Sequence, residues 1–312
     1  MPSSTSTPTV FICAATGSQG LNLSRQLREA NWPVHATVRN PTSPPALALA
    51  KLGVNLTVGD WDNAAALASS MAGCTHLFLN TTIGFAPGQD PSHERIQAAR
   101  ILTLAKSAGV RHVVYSSALA IDRLAEVAHL DPSSIAGQSV YSKQAIEATL
   151  RTIGFDSWTV LRGASFMENY LAPKVAMFGA FRATGVWTAA YAPDTVLPLV
   201  DTDDIARFAV AVFRDPARFH GKGVAVAGDA LTPAQIVDRL SKATGRKLVF
   251  VQLTEEEIAT QGEVNPFIRA QLVIAQLIRF IDMEEPKSWG VPLTTFDAFL
   301  ERNQEGVRET YL

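Results

Sequence analysis

The residues with the most chemical content lie near the N-terminus, in the run Cys13-Ala14-Ala15-Thr16-Gly17-Ser18-Gln19-Gly20. A tight turn between a strand and a helix brings backbone N–H groups up to a pyrophosphate, and the helix start favours its negative charge. Gly17 can supply an unusual backbone angle or a close approach, and Gly20 lets the helix pack closely on the strand. The full glycine pattern would carry a glycine at Ala14, where a methyl group crowds the turn. Arg39 is the second candidate. An acidic residue at that place would accept the adenosine ribose 2′-hydroxyl of NAD, whereas an arginine pairs with the 2′-phosphate of NADP. Asp60 reads either as a helix cap or as an acceptor for the adenine amine. Trp61 beside it either covers an adenine face or packs on the surface.

These residues need a frame to hold them, and the hydrophobic pattern supplies one. Short apolar runs at 10–15, 34–38, 54–58, 75–80 and 110–116 read as strands. Helical patterns of about 10–15 residues separate most of them, which is the βαβ signature. The strands lack apolar–polar alternation, as expected for a sheet covered on both faces. The turn at 13–20 falls at the first strand–helix junction and Arg39 follows the second strand, which is the context the dinucleotide reading requires. Residues 120–140 read as less regular, 141–153 as a helix and 158–161 as a strand. Residues 166–179 read as helical, 185–198 as loops with short strands, 203–213 as a helix and 224–227 as a strand. Thr232-Pro233 opens a helix to Thr244. A strand at 247–251 precedes a mainly helical stretch to about Phe280, with irregular chain after it. The fold class expected is α/β, a Rossmann-type parallel sheet with helices on both faces and a smaller C-terminal α/β substrate lobe. Residues 1–155 form the NADP-binding domain, its core completed by 156–162 and 201–227. Residues 163–312 form predominantly the substrate lobe.

Composition narrows the function classes. The chain has 312 residues, of which 47% are hydrophobic and 18% charged. Lys plus Arg number 27 against 29 Asp plus Glu, a net charge of -2, and no basic block stands ready for a phosphate backbone. Direct nucleic-acid binding is therefore not expected. Two cysteines, Cys13 and Cys74, cannot staple a disulfide scaffold and suit a reducing compartment. The N-terminus lacks a basic segment followed by a cleavable apolar one, and the apolar run 268–281 carries Arg269 and Arg279. A cytoplasmic protein with no membrane partner is the expectation. The histidines and cysteines are dispersed, so no metal site is expected, and Ser116-Ser117 forms no Gly-x-Ser-x-Gly elbow.

The chain resembles the NmrA-like family of atypical short-chain dehydrogenase/reductases, with isoflavone-reductase-like enzymes as neighbours. The resemblance rests on Ala15-Thr16-Gly17-Ser18-Gln19-Gly20, on Arg39, and on Gly59-Asp60. It continues through Val113-Val114-Tyr115-Ser116-Ser117, Lys143 with Glu147, Leu161-Arg162 and Phe166-Met167-Glu168-Asn169-Tyr170, and covers nearly the whole chain. It implies NADP(H) across the carboxyl ends of the strands. Gly17, Ser18, Gln19 and Gly20 would line the pyrophosphate, Arg39 would meet the 2′-phosphate, and Asn80, Thr81 and Thr82 would approach the ribose. Lys143 would reach the nicotinamide ribose or the substrate region, and Phe166 would lie close to the nicotinamide.

The usual short-chain enzyme places a tyrosine four residues before its lysine, on one helix face. Here that position is Ser139, and Tyr141 stands only two residues before Lys143. The resemblance then implies two roles. In isoflavone-reductase-like relatives a lysine at this position is the general acid/base, directly or through a water. In the regulators of the family the scaffold binds cofactor without turnover. Lys143 and Tyr141 are the catalytic candidates. Ile83, Phe85, His93, Phe166, Tyr170, Met177, Phe178, Trp187 and Tyr191 are candidates for a wall that accepts a small apolar or aromatic molecule. The same residues also suit a core, and His93 also suits an exposed helix end. The expected function is an NADPH-dependent reductase of a small, mostly apolar carbonyl or conjugated compound. The alternatives are a non-catalytic NADP(H)-sensing regulator that binds a protein partner and a cofactor-assisted non-redox enzyme such as an isomerase.

Overall fold

The computed structural model describes residues 7–82, 90, 92–128 and 130–312. The first half alternates strands and helices in the order β1 (Val10–Ile12), α1 (Ser18–Glu29), β2 (Val34–Val38), α2 (Pro44–Lys51), β3 (Asn55–Val58), α3 (Ala64–Met71), β4 (His76–Leu79), α4 (His93–Ser107) and β5 (His112–Ala118). A 3-10 turn (Ile121–Glu126) leads to α5 (Ile135–Thr152), β6 (Ser157–Gly163) and β7 (Ser165–Phe166). The second half continues with α6 (Phe181–Thr184), β8 (Val186–Ala189), β9 (Leu197–Val200), α7 (Thr202–Arg214), α8 (Pro216–Phe219), β10 (Lys222–Val226) and β11 (Asp229–Leu231). It ends with α9 (Pro233–Thr244), β12 (Val249–Gln252), α10 (Glu255–Val264), α11 (Pro266–Leu277), α12 (Glu284–Ser288), α13 (Phe296–Arg302) and α14 (Gln304–Tyr311).

The chain divides into two compact units. The first comprises Met1–Ser117, Ser142–Arg162 and Ile205–Val224, and the second Ala118–Tyr141, Gly163–Asp204 and Ala225–Leu312. The main sheet has seven strands in the order β10-β6-β5-β4-β1-β2-β3. β1 pairs in parallel with both β2 and β4, β2 with β3, and β4 with β5. This is a Rossmann-type sheet, and the strand order reverses at β1, where the loop after the strand opens as a crevice. Every residue of β1 and β4 is buried, because helices cover both faces. On one face Phe11, Leu77, Leu79 and Val113 pack with Leu67, Met71, Ile101, Leu102, Ile146 and Leu150 from α3, α4 and α5. Each buried side chain of this size stabilises the fold by roughly 1.5–3 kcal/mol.

The second unit holds a three-stranded sheet, β11-β9-β7, and a parallel pair, β12-β8. Its core gathers around the fully buried Trp187, with Tyr170, Phe181, Tyr191, Phe296 and Phe299. Tyr170 stacks on Phe178 at 5.1 Å between centroids and meets Trp187 edge-on at 5.6 Å.

Three segments differ from the sequence expectation. The helix expected over 141–153 starts six residues earlier, at Ile135. The Ser134 hydroxyl accepts from the Gly137 N–H at 3.0 Å and acts as its cap, inside a stretch whose composition read as irregular. The helix expected over 166–179 is instead β7 and two 3-10 turns, Met167–Tyr170 and Lys174–Phe178, with Pro173, which lacks an N–H, between them. The C-terminal stretch, expected to be irregular, carries α13 and α14. Phe296, Phe299, Leu300, Val307 and Tyr311 form their buried stripe, and the Thr295 hydroxyl caps α13 at the Ala298 N–H.

Candidate active site

The turn after β1 is built for close approach. Ala14 adopts φ +49, the left-handed conformation that glycine takes most readily. Its carbonyl accepts from the Gly17 N–H at 2.9 Å and closes the turn. Gly17 is the N-cap of α1, extended and with no side-chain cap, and the first turn of α1 carries no acid. The N–H groups at the start of α1 thus keep the positive end of the helix dipole open to an anion. Gly20 faces back onto the strand. A Cβ there would stand 2.5 Å from Ala15 Cα and closer still to the Ala14 carbonyl oxygen. Gln19 is buried and its Oε1 accepts from Ser116 Oγ at 2.6 Å, which ties α1 to the carboxyl end of β5. Ser18 is half-buried.

Arg39 follows β2 directly, is exposed, and has no ion-pair or hydrogen-bond partner among the described residues. Asp60 is engaged locally. Its Oδ1 accepts from the Asp62 and Asn63 N–H groups at 3.0 and 2.9 Å, forming the turn that enters α3. Trp61 packs part-buried against the first unit's core, and its carbonyl accepts from Arg100 at 2.9 Å. Asn80 is half-buried, Thr81 buried and Thr82 exposed, all just past the end of β4.

Lys143 projects from α5 to the same edge of the sheet. Its Nζ donates to the Thr81 carbonyl and to Glu94 Oε1, each at 3.3 Å, and the Thr81 hydroxyl donates to the same Glu94 oxygen at 3.3 Å. Glu94, in the first turn of α4, is buried completely while Lys143 keeps part of its side chain exposed. Tyr115 of β5 is buried, with no hydrogen bond of good geometry at its hydroxyl. Burial, reinforced by the Glu94 and Glu147 carboxylates, holds its phenol well above the usual tyrosine range, so it stays neutral. A second pair sits one turn along α5. Glu147 accepts from Arg162 at 2.9 Å, from the Ser117 hydroxyl at 2.8 Å and from Arg151 at 3.2 Å. Tyr141 is exposed on α5, about 200° around the helix axis from Lys143.

The other predicted residues have surroundings of their own. His93 is exposed, with Nε2 2.9 Å from Asp62 Oδ2. Trp187, Tyr170 and Tyr191 belong to the second unit's own core, whereas Phe166 and Phe178 are half-buried. Lys174 lies 5.9 Å from the Phe166 ring centre. Ile83 and Phe85 lie outside the described residues. Cys13 is buried and its thiol is pushed up to about 12 by desolvation, so it is no nucleophile at neutral pH. Among the described residues no group of three or more His, Cys, Asp or Glu is placed to hold a metal ion. Sequence reasoning missed Glu94, because its partner lies 49 residues away and nothing local distinguishes it from an ordinary acid in a first helical turn.

The sheet order and the glycine turn define an α/β protein of Rossmann type with a second α/β unit. The family model described as the NmrA-like family matches residues 6–292, and the chain belongs to that family. It is similar to the NmrA-like family domain-containing oxidoreductase malD of Malbranchea aurantiaca, 30% identical over 260 residues that cover 78% of this chain and 75% of that protein. It is also similar to Quinone oxidoreductase 2 of Escherichia coli (strain K12), 28% identical over 253 residues, 80% of this chain and 79% of that one. The crystal structure of the NADPH-dependent quinone oxidoreductase QOR2 from Escherichia coli, complexed with NADPH, superposes with a TM-score of 0.72. The two are 26% identical, over 94% of this chain and 99% of the other.

Proposed function

We propose that this chain is an NADPH-dependent reductase of a small, mostly apolar carbonyl or conjugated compound. The observation that carries the reading is the open N-terminus of α1, uncapped and without acid, with Gly20 pressed against the strand. That cradle fits a pyrophosphate, and the exposed Arg39 at the end of β2 fits a 2′-phosphate. Relatives with oxidoreductase names across most of the chain support the redox class. NADPH, when bound, supplies the hydride.

The chain's own residues do the rest. The N–H groups of Gly17, Ser18, Gln19 and Gly20 hold the pyrophosphate, and Arg39 pairs with the 2′-phosphate. Asn80, Thr81 and Thr82 border the ribose. Lys143 Nζ gives a proton to the substrate oxygen as that oxygen gains negative charge, and regains one from solvent. The substrate's carbon gains hydride, its oxygen gains the proton, and the product leaves neutral.

A second reading, a non-catalytic NADP(H)-sensing regulator acting through protein contacts, draws support from Ser139, which stands where short-chain enzymes keep their tyrosine. One experiment divides the two. NADPH and NADH are titrated into the parent and into Arg39→Ala, and both proteins are then incubated with NADPH and a panel of quinones, aromatic ketones and enones. Loss of a charge-assisted pair worth about 1.5–3 kcal/mol predicts about 10–100-fold weaker NADPH binding in the variant, with NADH little changed. Preference for NADH in the parent overturns the 2′-phosphate assignment. Tight NADPH binding with no turnover across the panel favours the regulator.

A further inference from the structure

We propose that Glu94 is a positioning residue whose buried carboxylate fixes the Lys143 ammonium at the carboxyl edge of the sheet. The consequence for turnover rests on the reductase reading above, while the pairing stands on geometry alone.

A carboxylate is rarely found fully buried unless it is paired. Glu94 meets that condition through one oxygen. Its Oε1 accepts from Lys143 Nζ and from Thr81 Oγ1, each at 3.3 Å, and Lys143 is its ion-pair partner. Its Oε2 is buried with no partner among the described residues. Among the described residues, the neighbouring groups Thr81, Tyr115 and Glu147 are neutral or already paired. Thr81 follows β4 and is neutral, and Tyr115 on β5 keeps its proton. Glu147, one turn along α5, is occupied by Arg162, Arg151 and the Ser117 hydroxyl. The two buried acids therefore divide the cations between them, Glu147 taking the arginines and Glu94 taking the lysine. A lysine side chain on a helix gives up much of its rotamer freedom when fixed. Here it is held at two points on other elements, the Glu94 carboxylate and the Thr81 carbonyl. In the usual short-chain helix a tyrosine one turn back shares the lysine's face, and that position is Ser139 in this chain. The anchor comes instead from α4.

The test compares the parent with Glu94→Gln, which keeps the shape and an accepting oxygen but removes the charge. Acetylation of cofactor-free protein by an activated ester, read by peptide mass spectrometry, reports how firmly Lys143 is held. Labelling of Lys143 should rise about tenfold or more in the variant, as expected for loss of a charged hydrogen bond, while the exposed Lys242 labels equally in both. With NADPH and the quinone and enone panel, kcat should fall by about tenfold or more, and KM for NADPH should change by less than about threefold. Unchanged labelling overturns the pairing whatever the turnover. Raised labelling with unchanged kcat overturns the positioning role. Raised labelling in a protein whose parent turns over nothing supports the pairing and counts against the reductase reading instead. Should Glu94→Gln fold poorly, thermal melting of Lys143→Met and of the double variant Glu94→Leu/Lys143→Met replaces it. The single change strands a buried carboxylate and should lower the Tm by about 5 °C or more, and the double change should recover most of that loss. A double variant no more stable than the single one overturns the pairing.

Discussion

Gly20 shows how much of the site depends on one missing atom. A methyl group at residue 20 would overlap the Ala14 carbonyl and Ala15 Cα, both of them backbone, so neither can swing aside. Gly20→Ala should push α1 away from β1, cost about 1–3 kcal/mol and abolish NADPH binding together with the helix-end geometry. Chemical denaturation and a fluorescence titration of NADPH check the two effects separately. Unimpaired binding in a folded variant would show that α1 does not hold the pyrophosphate. Ala14 is the converse case. Its left-handed backbone costs an alanine about 1–2 kcal/mol. Glycine would remove that strain but pay about 0.5–1 kcal/mol in unfolded-state entropy. The balance favours glycine by no more than about 1.5 kcal/mol, so Ala14→Gly should keep or raise the Tm by at most a few degrees, which calorimetry reads directly.

At the scale of elements, α5 carries two ion pairs one turn apart. Lys143 pairs with Glu94, and Glu147 with the buried Arg162 of β6. Gly223 leaves room for the Arg162 guanidinium, since a Cβ there would come within 2.7 Å of it and the arginine would have to shift. Replacing Arg162 with Met leaves the Glu147 carboxylate buried, with the half-exposed Arg151 as its remaining cation, and should cost about 3–5 kcal/mol. Adding Glu147→Leu should restore much of the loss. Urea melts of the single and double variants measure it, and a single variant as stable as the parent would refute the argument. The same helix shows what a sequence displays. The β1–α1 junction and Arg39 after β2 were legible, because turn chemistry and strand ends are local signals. The start of α5 was not, since its cap, Ser134, lies in a stretch without helical periodicity. Nor were α13 and α14, whose five buried apolar residues are divided between two short helices with Asn303 between them. Glu94 and Lys143 meet only because α4 and α5 pack on one face of the sheet, which is a tertiary fact with no local trace. The aromatic residues 170, 187 and 191 carried an ambiguous signal, and in the second unit they fill the core.

For the molecule as a whole, one source of acid sensitivity sits at the amino end of the parallel sheet. The turn after β1, Thr81 and Ser116 lie toward the carboxyl ends of its strands. His76 and His112 are the first residues of β4 and β5, in direct register at the opposite edge, with ring centres 4.7 Å apart. His76 is only 4% exposed and is flanked by Phe213 and Trp32. Burial, then the neighbouring His112 and Arg111, depress it to about 3, and burial and Arg111 also lower His112. In the unfolded chain a histidine takes up its proton near pH 6.5. Between about 6.5 and 3 the unfolded chain therefore binds a proton at residue 76 that the folded chain refuses. The stabilising contribution is full above pH 6.5 and falls as pH drops, by up to about 1.4 kcal/mol per unit. Urea unfolding at pH 7.5 and pH 4.5 should differ by about 2–3 kcal/mol from this residue, a window largely above carboxylate titration. His76→Phe keeps an aromatic ring without a titrating group and should flatten that limb. An unchanged acid limb in this variant would refute the assignment. Saturating NADPH, at about 100 times its Kd, should raise the parent's stability by about 2.7 kcal/mol at each pH where its affinity is the same. The slope below pH 6.5 should stay as it is if the ligand binds at the proposed turn after β1, at the opposite end of the strands from the histidine pair.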